Sequence, residues 1–361
     1  MKINLSVPIN NLGYGVVSTN IAQHLHTLGH QVNLLPMGQV QLDQSFDQKA
    51  FQQMLANGQF FDYDAPCVKI WHQFDLSLKV GNGPYFVYPF FELDTLTDRE
   101  RHHLNFADGI IVASKWAKQV LLNNGITKPI YVVRPGVNVK QFYPNPLHKK
   151  RFTSQNTYRF INIGKWEARK GHDVLCDMFN RAFTQEDDVE LWLMPNNPFL
   201  TPQEVNQWKR QYLNSKLGNQ IKFVSPVQNH EEVADIINSC DCGIFPSRAE
   251  AWNLEALETI ACGKPTIITN YSGHTEFCNN ENALLVDTPD REIANDGRWF
   301  FGAGSWAKIT DEVTNNFIEH MQYCYKSRPE NKAFQKTIEE FSWENTAKEL
   351  VSVLTNHPDR I

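Results

Sequence analysis

A chain of 361 residues with 42% hydrophobic and 12% aromatic side chains is globular and long enough for two domains, each with its own core. Its formal net charge of −6 weighs against a dedicated nucleic-acid binder. Seven cysteines with no C-x-x-C pair read as reduced thiols rather than a disulfide framework, and no apolar run approaches the length that spans a bilayer.

The first element begins at once, so no targeting segment is expected and the protein reads as soluble and cytoplasmic. Lys2 to Val7 is a strand ending at Pro8, and Asn10-Asn-Leu-Gly-Tyr-Gly15 is a glycine turn. A helix follows from Val16 to Leu28, closed by Gly29, and then a strand from His30 to Leu35. A Gly-x-Gly turn between strand and helix brings backbone amides toward a phosphate or a sugar, although Tyr14-Gly15 also reads as a tight turn alone. The absent third glycine disfavours NAD. Asp62-Tyr-Asp64 has the form of a carboxylate pair for a divalent ion. Beside Ala65-Pro66 and the strand Cys67 to Trp71 it reads instead as a turn and strand cap, and no metal is assigned. His72 then stands at a strand's carboxyl end, where α/β proteins bind ligands, or bonds to local backbone. Glu92 and Asp94 precede a helix that begins near Thr97 and are positioned to cap it.

Phe106 to Ser114 is a strand, Lys115 to Gly125 a helix, and Ile130 to Val133 another strand. Pro146 to Phe152 and the polar run Thr153 to Thr157 read as a linker, dividing a first domain at 1–150 from a second at 156–338. Its small basic run is a solvated face or a contact for anionic lipid. Tyr158 to Ile163 opens the second domain, followed by Gly164-Lys-Trp-Glu-Ala-Arg-Lys-Gly171 and a helix from His172 to Phe183. Lys165 and Lys170, between strand and helix, suit a diphosphate and the charge it gains on leaving, or are ordinary surface lysines. Arg169 is expected to be exposed. Val189 to Met194 and Gln220 to Val224 are strands and Glu231 to Asn238 is a helix, so the alternation gives a second doubly wound sheet.

The stretch from Cys240 to Phe277 carries the most chemistry. A strand, Cys242 to Pro246, leads through the turn Ser247 to Glu250 into a helix, Ala251 to Cys262. Gly263 closes it at the C′ position, Pro265 lies just beyond, and Thr266 to Thr269 is the next strand. The helix is apolar nearly all round, yet Glu255 and Glu258 share one face and Glu250 stands at its start. A buried carboxylate needs hydrogen-bond donors, which a vicinal diol supplies, and a helix N-terminus is a seat for phosphate. The alternative is a solvated edge with Arg248 and Lys264 as ion partners. Beyond it come a second glycine turn in Thr269 to Glu276, a short strand from Asn282 to Val286, and a helix starting at Ser342 and running to Leu354.

Glu250 and Glu258 form an E-x7-E pair inside PSRAEAWNLEALETIACGKP. This resembles the donor-site motif of the family 4 retaining glycosyltransferases, P-S-x-x-E-G-x-G-L-x-x-L-E-A-x-A-x-G-x-P. Ala251 and Asn253 occupy its two glycine positions. Asn tolerates the left-handed conformation and so keeps the turn, whereas Ala251 adds a methyl where backbone would approach the donor. Arg134 to Asn138 with Phe142-Tyr-Pro144 resembles the family's P-x-G-V-D-x-x-x-F-x-P segment, with Asn138 for the usual Asp. Gly164 to Gly171 resembles G-R-x-x-x-x-K-G, with Lys165 in the Arg place, and Phe91-Glu92-Leu-Asp94 resembles a W-E-T-D segment.

The resemblance implies a GT-B fold of class α/β, two Rossmann-like doubly wound parallel-sheet domains facing a central cleft, with a terminal helix at about 342–361 crossing back onto the first. It implies that Glu258 binds the ribose diol and Glu250 the donor-sugar hydroxyls. Lys165 and Lys170 neutralise the diphosphate, joined by the amides of Trp252, Asn253 and Leu254. Val227 lies where backbone contacts the base, Gly13, Tyr14 and Gly15 touch donor phosphate or acceptor, and His72 contacts the donor sugar. Glu92 and Asp94 orient acceptor hydroxyls. Since cations carry the leaving charge, no divalent ion and no cofactor is required. The function implied is retaining transfer from a nucleoside-diphosphate sugar to a hydroxyl of a glycan, lipid-linked or small-molecule acceptor. A nucleotide-sugar-binding relative without turnover, and a phage-type DNA-base glycosyltransferase, are the alternatives.

Overall fold

The structure is a computed structural model that describes residues 1–147, 156–225, 227 and 229–357. The basic run of the expected linker lies outside the described residues, as do Pro226 and Gln228 beside Val227. Two compact units make up the chain, Met1–Gly136 with Glu340–Ile361, and Val137–Glu339.

The first unit is built on six parallel strands: β1 (Lys2–Val7), β2 (Gln31–Pro36), β3 (Cys67–Lys69), β4 (Tyr85–Val87), β5 (Gly109–Val112) and β6 (Ile130–Val132). They lie in the order β2-β1-β3-β4-β5-β6. Most of these strands are apolar runs buried on both faces, as a parallel sheet flanked by helices requires. The exception is polar and satisfied: Asn33 Nδ2 donates to Asn4 Oδ1 at 2.8 Å, and Asn4 Nδ2 donates to Asp62 O at 2.7 Å. The Asp62–Asp64 segment is therefore a turn tied to the sheet, with Asp62 Oδ1 accepting from Asp64 N at 3.0 Å and Lys2 Nζ 2.9 Å from its Oδ2.

The second unit repeats the architecture with β7 (Tyr158–Ile163), β8 (Val189–Met194), β9 (Ile221–Phe223), β10 (Cys242–Phe245), β11 (Thr266–Asn270) and β12 (Leu284–Asp287). Their order is β12-β11-β10-β7-β8-β9. The chain winds one way from β7 and the other way from β10, so the reversal in strand order falls between β7 and β10. A core of Phe160, Trp166, Phe179, Leu191, Ile244 and Phe317 fills one side of the sheet.

Several elements went unread in the sequence. The helices Gln48–Gln59, Pro202–Leu213 and Asp311–Ser327 are present, as is an antiparallel hairpin of β13 (Arg291–Asn295) and β14 (Phe301–Ala307). Thr201 and Glu204 form a complete capping box at the start of Pro202–Leu213, and that pattern was legible. The units divide at Gly136/Val137, earlier than the boundary expected at 150. The reason is local: Asn145 N donates to Asn238 Oδ1 at 2.9 Å and Asn238 Nδ2 donates to Tyr143 O at 3.0 Å.

The helix Trp343–Asn356, capped by Ser342 on Asn345 N, groups with the first unit. Arg134 fixes it there, with Nε 3.0 Å from Glu349 Oε1 and Nη1 2.6 Å from Glu340 Oε1, while Thr346 Oγ1 donates to Arg134 O at 2.7 Å. A side chain on Gly136 would meet Ser342 backbone at 2.3 Å, so only glycine permits this approach.

Candidate active site

In a doubly wound sheet the loops after the strands that flank the reversal splay apart and leave a crevice. Here those loops are Gly164–Gly171 after β7 and Pro246–Asn253 after β10. Gly171 is left-handed (φ +78°), and a Cβ there would strike Pro246 O at 2.3 Å, so glycine lets the two loops meet.

The meeting places opposite charges together. Arg169 Nη1 donates to Glu250 Oε2 at 2.7 Å and to Ala249 O at 2.9 Å. Its Nε and Nη2 fork onto Glu167 Oε2 at 3.2 and 2.9 Å. Lys170 Nζ lies 2.9 Å from Glu250 Oε1 and 3.8 Å from Glu255 Oε2. Arg169 is only 6% exposed, which corrects the expectation of a surface side chain: the guanidinium has five donors, and buried carboxylates and a carbonyl take them. Burial opposes ionisation of Glu250, but Arg169 and then Lys170 outweigh it and hold its pKa down at about 2. Burial likewise disfavours the Lys170 cation, and Glu250 and Glu255 reverse that, raising its pKa. Lys165 stands apart from this cluster, its Nζ 5.3 Å from the centre of the Phe199 ring. The cation beside Lys170 on Glu250 is therefore Arg169 and not Lys165.

Asn253 organises the helix start. It is left-handed (φ +88°), as its place in a glycine position required, and it is the N-cap. The helix accordingly runs Leu254–Ala261 and not from Ala251, because a left-handed residue cannot lie inside an α-helix. Asn253 Oδ1 accepts from Ala256 N at 3.2 Å, which leaves its amide to face His274 Nε2 at 2.9 Å. His274 Nδ1 lies 3.0 Å from Thr269 O, so Nδ1 carries the proton and Nε2 accepts. Burial lowers the His274 pKa to about 4, in keeping with a neutral ring.

The same turn clasps the loop from behind. Gly273 N donates to Glu250 O at 2.9 Å, and Glu250 N donates to Ser272 Oγ at 2.8 Å. A Cβ at Gly273 would lie 2.4 Å from Ala251 O, so the approach needs glycine. Trp252 is buried against Phe277, with ring centres 5.0 Å apart, and Leu254 is half-buried at the first helical position. Neither His274 nor Gly273 was singled out in the sequence, since their roles depend on a contact across twenty residues.

Glu255 and Glu258 share a face but not an environment. The Glu255 side chain is 34% exposed and the Glu258 side chain 10%. Burial, with the neighbouring Glu255 charge, pushes the Glu258 pKa well above the usual carboxylate range. Its Oε1 lies 3.9 Å from His230 Nδ1. Arg248 and Lys264, named as partners for a solvated edge, are engaged elsewhere. Arg248 holds Asp173 at 2.8 Å and Glu292 at 3.1 Å, and Lys264 Nζ reaches Asn238 O at 3.1 Å. Val227 is half-buried in the loop after β9.

The first-unit candidates gather at the carboxyl ends of β1, β3 and β4. The helix starts at Gly13 itself, spanning Gly13–Thr27. Gly15 is sterically required, since a Cβ would meet Asn10 O at 2.2 Å, while Gly13 faces open space. Tyr14 Oη donates to Phe90 O at 2.9 Å and accepts from Phe90 N at 3.2 Å. Its ring centre lies 4.7 Å from that of His72, which in turn stacks on Phe74 at 5.1 Å. Burial, and to a smaller degree the Glu92 charge, raise the Tyr14 pKa, so the hydroxyl stays neutral. Glu92 and Asp94 do not cap the next helix. Thr97 does, in a capping box with Glu100, and Asp94 accepts from Thr95 Oγ1 at 3.2 Å and gives its carbonyl to Asn124 Nδ2 at 2.9 Å.

The fold has solved counterparts. The chain superposes on Anabaena HepE, solved with UDP and glucose, with a TM-score of 0.74 at 14% identity over 98% of this chain and 99% of that one. It superposes on sucrose-phosphate synthase from Thermosynechococcus elongatus with a TM-score of 0.72 at 15% identity over 98% of both chains. The fold is that of the GT-B glycosyltransferases. Residues 157–296 match the sequence model of the family described as Glycosyl transferases group 1. That span contains every member of the Arg169, Lys170, Glu250, Glu258 set and stops within the β13–β14 hairpin of the GT-B fold. Among curated proteins, mannosylfructose-phosphate synthase of Agrobacterium fabrum is 26% identical over 56% of this chain and 47% of its own length. A probable sucrose-phosphate synthase of Thermosipho melanesiensis is 24% identical over 63% of this chain and 48% of its own length. The chain spans about half the length of these curated relatives. Among the described residues no helix is long and apolar enough to cross a membrane.

Proposed function

We propose that the protein is a retaining glycosyltransferase that moves a sugar from a nucleoside-diphosphate sugar to a hydroxyl acceptor, without a metal ion or other cofactor. The observation that carries this reading is Glu250 held between Arg169 and Lys170 at the sheet's reversal point, beside the N-terminus of Leu254–Ala261. In this reading Glu250 accepts hydrogen bonds from donor-sugar hydroxyls and Glu258 from the ribose diol. Lys170, with Lys165 from the same loop and the amides of residues 252–254, neutralises the departing diphosphate, which makes a divalent ion unnecessary. Lysine is apt because its ammonium pairs with one oxygen of Glu250 and can be shared with an arriving phosphate. The relatives support the donor class: one is named as GDP-mannose-dependent, and HepE was solved with UDP-glucose. In the first unit, Gly13, Tyr14, Gly15, His72, Glu92 and Asp94 serve the acceptor and the outer part of the donor. The setting proposed is the cytoplasm, with acceptors that include lipid-linked ones at a membrane surface.

A thermal-shift screen against nucleoside diphosphates and their sugars, with and without EDTA, tests the reading. A ligand that binds only the native state raises the Tm according to its concentration over Kd. A selective rise that persists in EDTA is expected. No rise with any nucleotide, or one abolished by EDTA, overturns the metal-independent donor site.

A further inference from the structure

The loop Gly164–Gly171 has two sets of neighbours. Arg169 and Lys170 meet Glu250, whereas Trp166, Glu167 and Ala168 line a cavity of about 390 Å³. Its other walls are the helix Pro202–Leu213, through Glu204, Gln207, Trp208 and Gln211, and the tip of the β13–β14 hairpin. That volume lies in the range of small-molecule sites, about 300–1,000 Å³.

Three tryptophans, Trp166, Trp208 and Trp299, contribute to the cavity wall. Trp166 and Trp208 stack in parallel, 5.7 Å apart and inclined by 6°. Trp299, 37% exposed on the hairpin tip, packs edge-on to Phe199 and carries the Arg298 guanidinium 4.8 Å from its ring centre. The tip is built in advance of any ligand. Asp296 Oδ1 accepts from the amides of Arg298, Trp299 and Phe300 at 2.9, 2.8 and 3.0 Å, and Gly297 takes the left-handed turn at φ +69°.

The charges around it are already matched. Glu204 pairs with Arg298 at 3.1 Å, Glu167 with Arg169 at 2.9 Å, and Asp296 is spent on the turn. An anionic ligand would meet three carboxylates, and a cationic one would have to break existing pairs. Of the remaining polar side chains, Gln211 Nε2 donates to Asp173 O at 3.2 Å, and the exposed Gln207 is a neutral carboxamide that both donates and accepts. The half-buried Trp208 and the exposed Trp299 beside that amide suit a ligand with an apolar face and a rim of hydroxyls, which is a pyranose.

We propose that this cavity is a second carbohydrate subsite, taking a neutral oligosaccharide and separate from the Glu250–Glu258 site. It does not depend on sugar transfer, so its failure and that of the donor site are distinguishable. Because one loop supplies Trp166 to one site and Lys170 to the other, a saccharide seated here also bears on the loop that holds Glu250.

The test is saturation-transfer NMR and tryptophan fluorescence on the full chain with maltotriose, cellotriose, mannotriose and chitotriose, without nucleotide. At least one is expected to bind, and Trp299→Ala and, separately, Gln207→Ala each to weaken it by about tenfold or more. The Tm rise with nucleoside diphosphate should be unchanged in both variants. The proposal is overturned if none of the four binds, if binding is indifferent to both substitutions, or if a nucleoside diphosphate displaces the sugar competitively. Tighter binding of glucose 6-phosphate than of any trisaccharide would overturn the neutral class.

Discussion

The two units present their loops at the carboxyl ends of similar parallel sheets, yet hold them by different forces. In the second unit the contacts are charges: Arg169, Lys170, Glu167 and Glu250 are all buried and mutually paired. In the first, the corresponding turn is held by rings and one neutral hydroxyl, with Trp71, His72 and Phe90 packed around the Tyr14 ring and its hydroxyl bonded to Phe90 backbone. Buried ion pairs are costly to desolvate and, when one partner goes, leave the other stranded. A neutral aromatic cluster loses only packing and a hydrogen bond. Under the proposed function, the difference separates the loop that would take a charged ligand from the one that would not: matched ions can exchange partners with a diphosphate, and a ring cluster cannot.

The sharpest way to break this contrast is Glu250→Ala. It strands Arg169 and Lys170 in a buried site, and a loss of about 3–5 kcal/mol is expected by chemical denaturation. Added pyrophosphate, standing in for the lost anion, should recover part of it. A variant as stable as the parent would mean that the cluster is solvated and that the contrast fails.

Acid titration is a second way to break the contrast. Burial lowers His274 to about 4 and His172 to about 3, so the unfolded chain takes up protons first as pH falls through about 6.5. Stability carried by the neutral rings, at most roughly 3 kcal/mol for His274 and roughly 5 kcal/mol for His172, is lost between about pH 6.5 and those lower values. Glu250, held at about 2, adds a further loss below the ordinary carboxylate range. The Tm should therefore fall steadily from neutral pH toward pH 4, and an acid-insensitive Tm would contradict the buried neutral histidines.

Asn253 separates backbone from cap. Asn253→Ala should cost about 1–2 kcal/mol in urea melts, because it removes the N-cap and puts a Cβ residue in the left-handed region. Asn253→Gly should cost only a few tenths by the same measure. Equal costs would show that the bond to His274, and not the turn, is what matters.

Glu258→Gln sharpens the contrast from the opposite sign. Its pKa is raised, so the charged form is disfavoured in the fold and its penalty grows as pH rises above the usual carboxylate range. The amide should raise stability at pH 7 by ~1 kcal/mol while abolishing the Tm rise with nucleotide. Tyr14→Phe should cost about 1 kcal/mol from the bonds to Phe90, with the nucleotide shift intact.

Much of the framework was legible because parallel strands are short apolar runs between turns: Lys2–Val7, Tyr158–Ile163 and Val189–Met194 match their expected bounds. The left-handed Asn253 was legible through its place at a glycine position of the motif the sequence resembles. Helix Ala251–Cys262 was read too long because periodicity cannot show a left-handed residue in a run of helix formers. The environment of Arg169 was hidden for a different reason. Its fate depends on Glu250, eighty-one residues away, and nothing in Ala168-Arg169-Lys170 says that both adjacent cations turn inward. The hairpin at 291–307 has exposed apolar residues and no clear alternation, so it offered no signal of burial.

The return of Glu340 and the Trp343–Asn356 helix to Arg134 and Gly136 has a consequence for how the chain is made. Ribosomes release a protein from its N-terminus, and domains usually fold in that order. Here the sheet synthesised first lacks the helix that packs on Gly13–Thr27 until the entire second unit has emerged. The unit begun last is therefore the first able to finish, and the nascent first unit must wait with Gly13–Thr27 short of one helix neighbour.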